Sequence, residues 1–177
     1  MRILKNKILT TDFFNQATLL VTQKLLGKFL VRKIKNQTIS FMITEVEGYD
    51  GPNDLACHAC KGKTKRNEVM FSQAGHFYTY LIYGMYWMLN IVTGPEDYPA
   101  AILIRGTKEI VGPGRLTKQL KIDKSFNNKL ATPENNLWFE DRGIKVYKKN
   151  ILQTPRIGVS YAGPIWSIKP YRFILKT

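Results

Sequence analysis

Residues 69–95 contain no Lys, Arg, Asp or Glu, in a chain whose formal net charge is +14. A stretch like that belongs inside a fold or inside a membrane. Its most hydrophobic part, 77–92, holds Tyr78, Tyr80, Tyr83, Gly84, Tyr86 and Asn90, and is too short and too polar to span a bilayer. It reads instead as a β-hairpin, 76–83 and 85–92, turning near Gly84 and rich in Tyr, Ile, Leu and Trp. Side chains alternate along a strand, so Tyr78 and Tyr80 share one face and Phe77 takes the other. Both faces are therefore aromatic. A central strand buried on both sides satisfies this pattern. So does a stacking platform with Tyr83 at the tip as a wedge between bases.

A chain of 177 residues forms one domain, 1–177, with a core large enough to need no disulfide or metal staple. Thr11-Asp12 ahead of Phe13, Phe14, Ala17, Leu20 and Leu25 predicts a capped amphipathic helix ending at Gly27. Two strands are expected at 28–35 and 38–47, joined around Asn36-Gln37. Gly112-Pro113-Gly114 reads as a glycine turn opening a helix through Leu116, Leu120 and Ile122. Residues 127–136 read as a loose surface loop, and 155–175 as short strands and turns. Strands and helices without a βαβ rhythm give an α+β class with a largely antiparallel sheet.

Lys plus Arg is 27 against 13 for Asp plus Glu, an excess that suits a polyanionic partner. The charge is uneven. Residues 41–60 carry Glu45, Glu47, Asp50 and Asp54 and no base, while 61–68 return to Lys61, Lys63, Lys65 and Arg66. Carboxylates near a polyanion-binding face weaken binding unless they have a task. On a strand, Glu45, Glu47 and Tyr49 share a face. Paired carboxylates beside an aromatic suit glycosyl chemistry, where a carboxylate stabilises a cationic sugar and activates water. A solvated edge strand with ordinary surface acids is the plain alternative.

The segment CHAC holds Cys57, His58 and Cys60, and the remaining histidine is His76. A four-ligand zinc site from these residues is crowded, so two small buried thiols and no metal are expected. Gly114, with Arg115, Lys118 and Lys121 after it, offers free backbone N–H groups and positive charge for a phosphate. Arg66 joins Gly114, Arg115 and Lys118 as a candidate backbone contact. The N-terminal MRILKNKILTTDFF carries no apolar run or cleavage signal, and with two cysteines a reducing, cytoplasmic home is expected.

The stretches ITEVEGYDGPNDLACH (43–58), TKRNEVMF (64–71), YTYLIYGMYWMLNIVTG (78–94), ILIRG (102–106), GPGRLTKQLKIDKSFN (112–127) and RIGVSYAGPIWSIKPYRF (156–173) resemble, in order, the alkyladenine (3-methyladenine) DNA glycosylase family. The resemblance implies a curved antiparallel sheet flanked by helices, with a protruding hairpin. It also implies a monomer that acts on duplex DNA containing damaged purines, needs no cofactor and uses no membrane. It gives Glu47 the activation of the attacking water, with Arg105 holding the nucleotide near it. Tyr49 and Tyr80 would stack on the extruded base, His58 would bond its edge, and Asn90 would disfavour guanine. Tyr83 would fill the gap left in the duplex. The chain departs from the family between Ile110 and Val111, where relatives carry an extra stretch. Two other readings remain: a catalytically silent relative that binds damaged DNA, and a zinc or thiol module built on CHAC.

Overall fold

The structure, a computed structural model, describes residues 6–176. Residues 1–5, the start of the segment in which no signal peptide is expected, and residue 177 lie outside the described residues. In chain order the elements are β1 (Lys7–Ile8), α1 (Thr11–Phe14), α2 (Thr18–Leu25), β2 (Phe29–Ile34), β3 (Gln37–Asp50), β4 (Phe77–Ile82) and β5 (Tyr86–Val92). There follow β6 (Ala100–Thr107), α3 (Pro113–Gln119), β7 (Leu137–Asp141), β8 (Ile151–Thr154), α4 (Gly163–Ser167) and β9 (Arg172–Leu175). All strand pairings are antiparallel, in the order β1-β7-β2-β3-β6-β5-β4, with β9 joining β3 and β8 joining β9. The α+β antiparallel expectation holds.

Strand β3 organises the molecule. Its first half pairs with β2, and its second half lies between β6 and β9. Glu45 and Glu47 therefore sit on a strand paired along both edges, which removes the solvated edge-strand alternative. The register shifts on either side of Glu45: pairs run Ile43–Thr107, Glu45–Gly106 and Val46–Ile104. Thr44 and Arg105 are left without partners in the ladder, the signature of a bulge.

Period-two alternation divides the two faces of this part of the sheet. Val46, Phe77, Leu89, Ile91, Ile102 and Ile104 point into the main core with Val21 and Leu25 of α2. The opposite face carries Tyr49, Tyr78, Tyr80, Met88, Asn90, Leu103 and Arg105. The burial expected of a central strand is met on the core side of the hairpin. Phe77 is fully buried, Trp87 is half-buried, and Tyr83 is 85% exposed at the tip.

The helix expected over 11–27 is two helices. The Phe14 carbonyl accepts from the Gly94 N–H, and the Gln16 side chain folds back onto the Asp12 and Phe13 carbonyls. Those bonds end α1 and restart the chain as α2. No side chain caps α1, so the expected Thr-Asp cap is corrected; Asp12 lies in its first turn, where the helix dipole favours an acid. Helix α3 stops at Gln119 rather than Ile122, because Lys121 turns left-handed (φ 51°). The 127–136 segment is irregular but not loose. It bonds along the outer edge of β4, with Phe77 N–H to Lys129 O, Asn128 N–H to Phe77 O and Thr79 N–H to the Asn127 side chain. That covers what would be a free sheet edge.

Candidate active site

A cavity of about 360 Å³ opens between the β3–β6–β5–β4 face and the loop after β8. Tyr49 and Tyr80 line it, with His58, Asn90, Arg105, Arg66 and Tyr83. The sheet explains the convergence, since alternate residues of adjacent strands project to one side. Tyr78 and Tyr80 stand side by side, ring centroids 5.3 Å apart, and the His58 ring packs edge-on to Tyr80 at 4.6 Å. His58 Nδ1 lies 3.0 Å from the Tyr78 hydroxyl. Desolvation, then the nearby Arg66 cation, holds the His58 pKa below its ordinary value. Desolvation pushes the Tyr78 hydroxyl up to about 12, and Tyr80 is also raised. Tyr78 and Tyr80 thus stay neutral at physiological pH. Asn90 is buried and its amide donates to the Tyr78 carbonyl at 3.1 Å, which fixes its orientation.

Glu47 lies directly behind this wall and is fully buried. Tyr49 donates its hydroxyl to Oε2 at 2.9 Å. The Ile157 backbone N–H donates to Oε1 at 2.8 Å, and Arg105 Nη1 stands 3.4 Å from the same oxygen. Glu47 is absent from the cavity lining, but its three partners Tyr49, Arg105 and Ile157 all belong to it. Burial raises its pKa above the usual carboxylate value, and the Arg105, Ile157 and Tyr49 contacts only partly offset that. Arg105 also gives Nε to Glu45 at 3.1 Å, and Arg172 gives Nη1 to the same Glu45 oxygen at 2.9 Å.

A second pair supports the wall from behind. Arg156 and Asp54 are both buried and form a two-point ion pair, one arm at 2.8 Å, while Arg156 also donates to the Gly48 carbonyl at 2.9 Å. The guanidinium carbon lies 4.8 Å from the Tyr49 ring centroid and 5.2 Å from that of Tyr171. Sequence reasoning missed Asp54, Arg156, Ile157, Tyr161 and Arg172 as parts of this region. An acid in the acidic island and an arginine in an otherwise acid-free tail were the available signal.

The hairpin tip is a tight turn closed by Met85 N–H to Ile82 O at 3.1 Å. Its central residues, Tyr83 (φ 52°) and Gly84 (φ 68°), both have positive φ, the pattern of a type I′ turn. A tyrosine in that region costs about 1–2 kcal/mol. Arg66 is exposed at the cavity rim, its guanidinium 5.8 Å from the Tyr80 ring centroid, while Arg115 and Lys118 are exposed on α3. Gly114 serves packing: a Cβ there would come within 2.8 Å of the Tyr86 ring.

Neither cysteine of the CHAC motif lines the cavity, whereas its His58 does. Cys57 is buried, donates to the Pro99 carbonyl at 3.5 Å, and is pushed up to about 12 by burial. Cys60 is only half-buried, against the expectation of two buried thiols. His58 faces Tyr78 and Tyr80, and His76 meets the Gln73 carbonyl. Among the described residues no three His, Cys, Asp or Glu side chains gather as a metal-ligand group.

A pocket walled by tyrosines and backed by a buried carboxylate suits the class of enzymes that hydrolyse N-glycosyl bonds. The methylpurine-DNA glycosylase family model matches residues 12–111 and 108–177, and the chain belongs to that family of DNA glycosylases. The two matched segments overlap at residues 108–111, the stretch where a departure from the family is expected. The chain is 42% identical over 186 residues to a protein of Methanocella arvoryzae, covering 94% of this chain and 91% of the relative. It is 44% identical over 165 residues to one of Wolbachia pipientis wMel, covering 89% and 88%. It is 41% identical over 175 residues to one of Legionella pneumophila strain Lens, covering 95% and 94%. All three carry the name "Putative 3-methyladenine DNA glycosylase".

Proposed function

We propose that this chain removes damaged purines, of the 3-methyladenine type and related alkylated or deaminated bases, from duplex DNA with a water activated by Glu47. The observation that carries the reading is a fully buried Glu47, held on both oxygens, immediately behind a pocket walled by tyrosines. The nucleotide leaves the stack, because C1′ cannot be reached inside an intact duplex. Tyr83 fills the gap, which offsets part of a cost of about a few kcal/mol for unstacking. The base enters between Tyr49 and Tyr80, with His58 at its edge and Asn90 against bases bearing an extra amino group.

The water oxygen then bonds to C1′ as the C1′–N bond breaks. The bonding pair leaves with the base, and the water proton passes to Glu47. Arg105 steadies the anionic groups around the reacting carbon. A cationic alkylated base leaves readily, whereas a neutral base needs protonation. The cations lining the pocket are Arg66 and Arg105, and no described lysine lines it, which supports water rather than an amine as nucleophile. Arg115 and Lys118, with the backbone at Gly114, contribute phosphate contacts. The same reading has one chain acting as a monomer in the cytoplasm.

Single-turnover excision tests this. Protein in excess is mixed with duplexes carrying a 3-methyladenine-type lesion, hypoxanthine, ethenoadenine or no damage, and abasic sites are read by hot alkali. Excision by the wild type and none by Glu47→Gln is the expected result. Lesion-dependent binding without excision identifies a silent binder instead, and nicking without alkali overturns the water mechanism.

A further inference from the structure

Glu45 is the residue of this region that the proposed mechanism leaves without a task. It does not line the pocket, yet it takes Nε of Arg105 at 3.1 Å and Nη1 of Arg172 at 2.9 Å on one oxygen. All three side chains are largely shielded from solvent, at 15%, 13% and 20% exposure for Glu45, Arg105 and Arg172. The bulge that places Glu45 opposite Gly106 also leaves Arg105 out of the ladder. The result is an unequal sharing of Arg105. Its contact to Glu45 is a hydrogen bond, whereas Nη1 stands off Glu47 at 3.4 Å.

We propose that Glu45 is a positioning residue that draws Arg105 and Arg172 away from Glu47, so that Glu47 retains the basicity it needs to accept a proton from water. This rests on the glycosylase reading above. The groups facing Glu47 are Glu45 and Tyr49 on β3, Tyr80 on β4, Arg105 on β6, Arg172 on β9, and Arg156 with the Ile157 N–H from the loop after β8. Two cations within reach of a buried carboxylate depress its proton affinity strongly. A carboxylate paired fully with a guanidinium is a weak base, and base strength governs the proton-transfer step. Glu45 supplies the competing anion, so Arg105 orients Glu47 without neutralising it.

The sign of each substitution follows. Glu45→Gln keeps the shape and an acceptor oxygen but removes a negative charge and frees both arginines toward Glu47. The acid limb of the single-turnover rate should move to lower pH by about one unit, and the plateau should fall about tenfold. Arg172→Gln removes a cation and leaves Glu45 to Arg105 alone, so its limb should move to higher pH. A merely structural role for Glu45 lowers the rate without shifting the limbs in opposite directions.

The experiment measures pH–rate profiles of wild type, Glu45→Gln and Arg172→Gln, with thermal melts alongside. The carboxyl carbon of Glu47 is titrated by NMR in protein labelled at glutamate Cδ, with Glu47→Gln for assignment. That titration reads the Glu47 pKa without any turnover. Opposite shifts in both readouts support the proposal. Unmoved limbs and an unmoved Glu47 titration in a folded Glu45→Gln protein overturn it. A wild type without excision overturns the glycosylase reading instead, while the titration still reports on the charge sharing. If Glu45→Gln does not fold, an unmoved titration in Arg172→Gln overturns the proposal by itself.

Discussion

Glu47 receives donors on both oxygens and has no exposed surface. Its pKa lies above the ordinary carboxylate value because loss of water outweighs the contacts to Arg105, Ile157 and Tyr49. A base works only when deprotonated. Excision should therefore be present above that raised pKa and lost as pH falls through it, with the acid limb above the range of a solvated glutamate. Single-turnover rates across pH check this, and a limb at or below the solvated value sinks it. Asp54 is a second buried carboxylate, and it is paired with the buried Arg156. Asp54→Asn leaves the buried Arg156 charge uncompensated, and should destabilise the fold by about 3–5 kcal/mol in urea unfolding. The shared face of Glu45, Glu47 and Tyr49 was legible in the sequence, because alternation is a local rule. The Ile157 N–H and the Arg156–Asp54 pair were not. They join residues separated by 110 and 102 positions, and no local pattern encodes a contact at that distance.

Strand β3 and the β4–β5 hairpin do the placing at the level of elements. Gly48 lets β3 press against α2: a Cβ there would stand 2.9 Å from both Leu19 Cδ2 and Thr22 Oγ1. Gly114 does the same for α3 against Tyr86, and Thr117 ties the two by donating to the Trp87 carbonyl at 2.8 Å. At the tip, shape and stability are opposed. Tyr83→Gly relieves a left-handed tyrosine, so stability should not fall and should rise by up to about 1 kcal/mol. Its excision rate should nevertheless drop, since on the proposed reading the ring fills the duplex gap. Melting and excision measured on the same preparation test the pair, and a loss of stability would count against the account of the turn. The hairpin was readable from its aromatics and Gly84. The helix break at Asn15 was not, because it depends on Gly94, a residue from a distant loop. The 127–136 segment misled for a related reason: its polar composition looks loose, but its backbone is held by β4.

Taken whole, the molecule joins a net charge of +14 to a pocket region whose acids are sequestered. Glu47 and Asp54 are fully buried, and Glu45 is paired with two arginines. Three of the four acids of the island are thus withheld from a polyanion, and the fourth, Asp50, is half-buried and accepts from the Tyr98 hydroxyl at 3.2 Å, which reconciles the island with a basic surface. Binding to undamaged duplex should weaken steeply with salt, log K falling by about 0.9 per phosphate neutralised for each unit of log salt. Fluorescence titrations between low and physiological salt measure this, and a flat dependence would exclude a binding face built on the surface lysines and arginines. The sequence carried the family and the antiparallel class, since motifs and alternation survive without coordinates. It did not carry the seam at β3, where a register shift joins the two parts of the sheet.

Tyr80 and Tyr83 belong to one hairpin, three positions apart, and both line the cavity, Tyr80 from the strand and Tyr83 from the tip. Extended backbone advances about 3.3 Å per residue, so β4 carries the chain roughly 7 Å from Tyr80 to Ile82, where the turn holding Tyr83 begins. On the proposed reading, that makes β4 a ruler for the path of the extruded nucleotide. The gap in the duplex and the place where its base comes to rest are set by a single piece of covalent geometry. A side-chain substitution leaves that distance unchanged, whereas a change in strand length resets it.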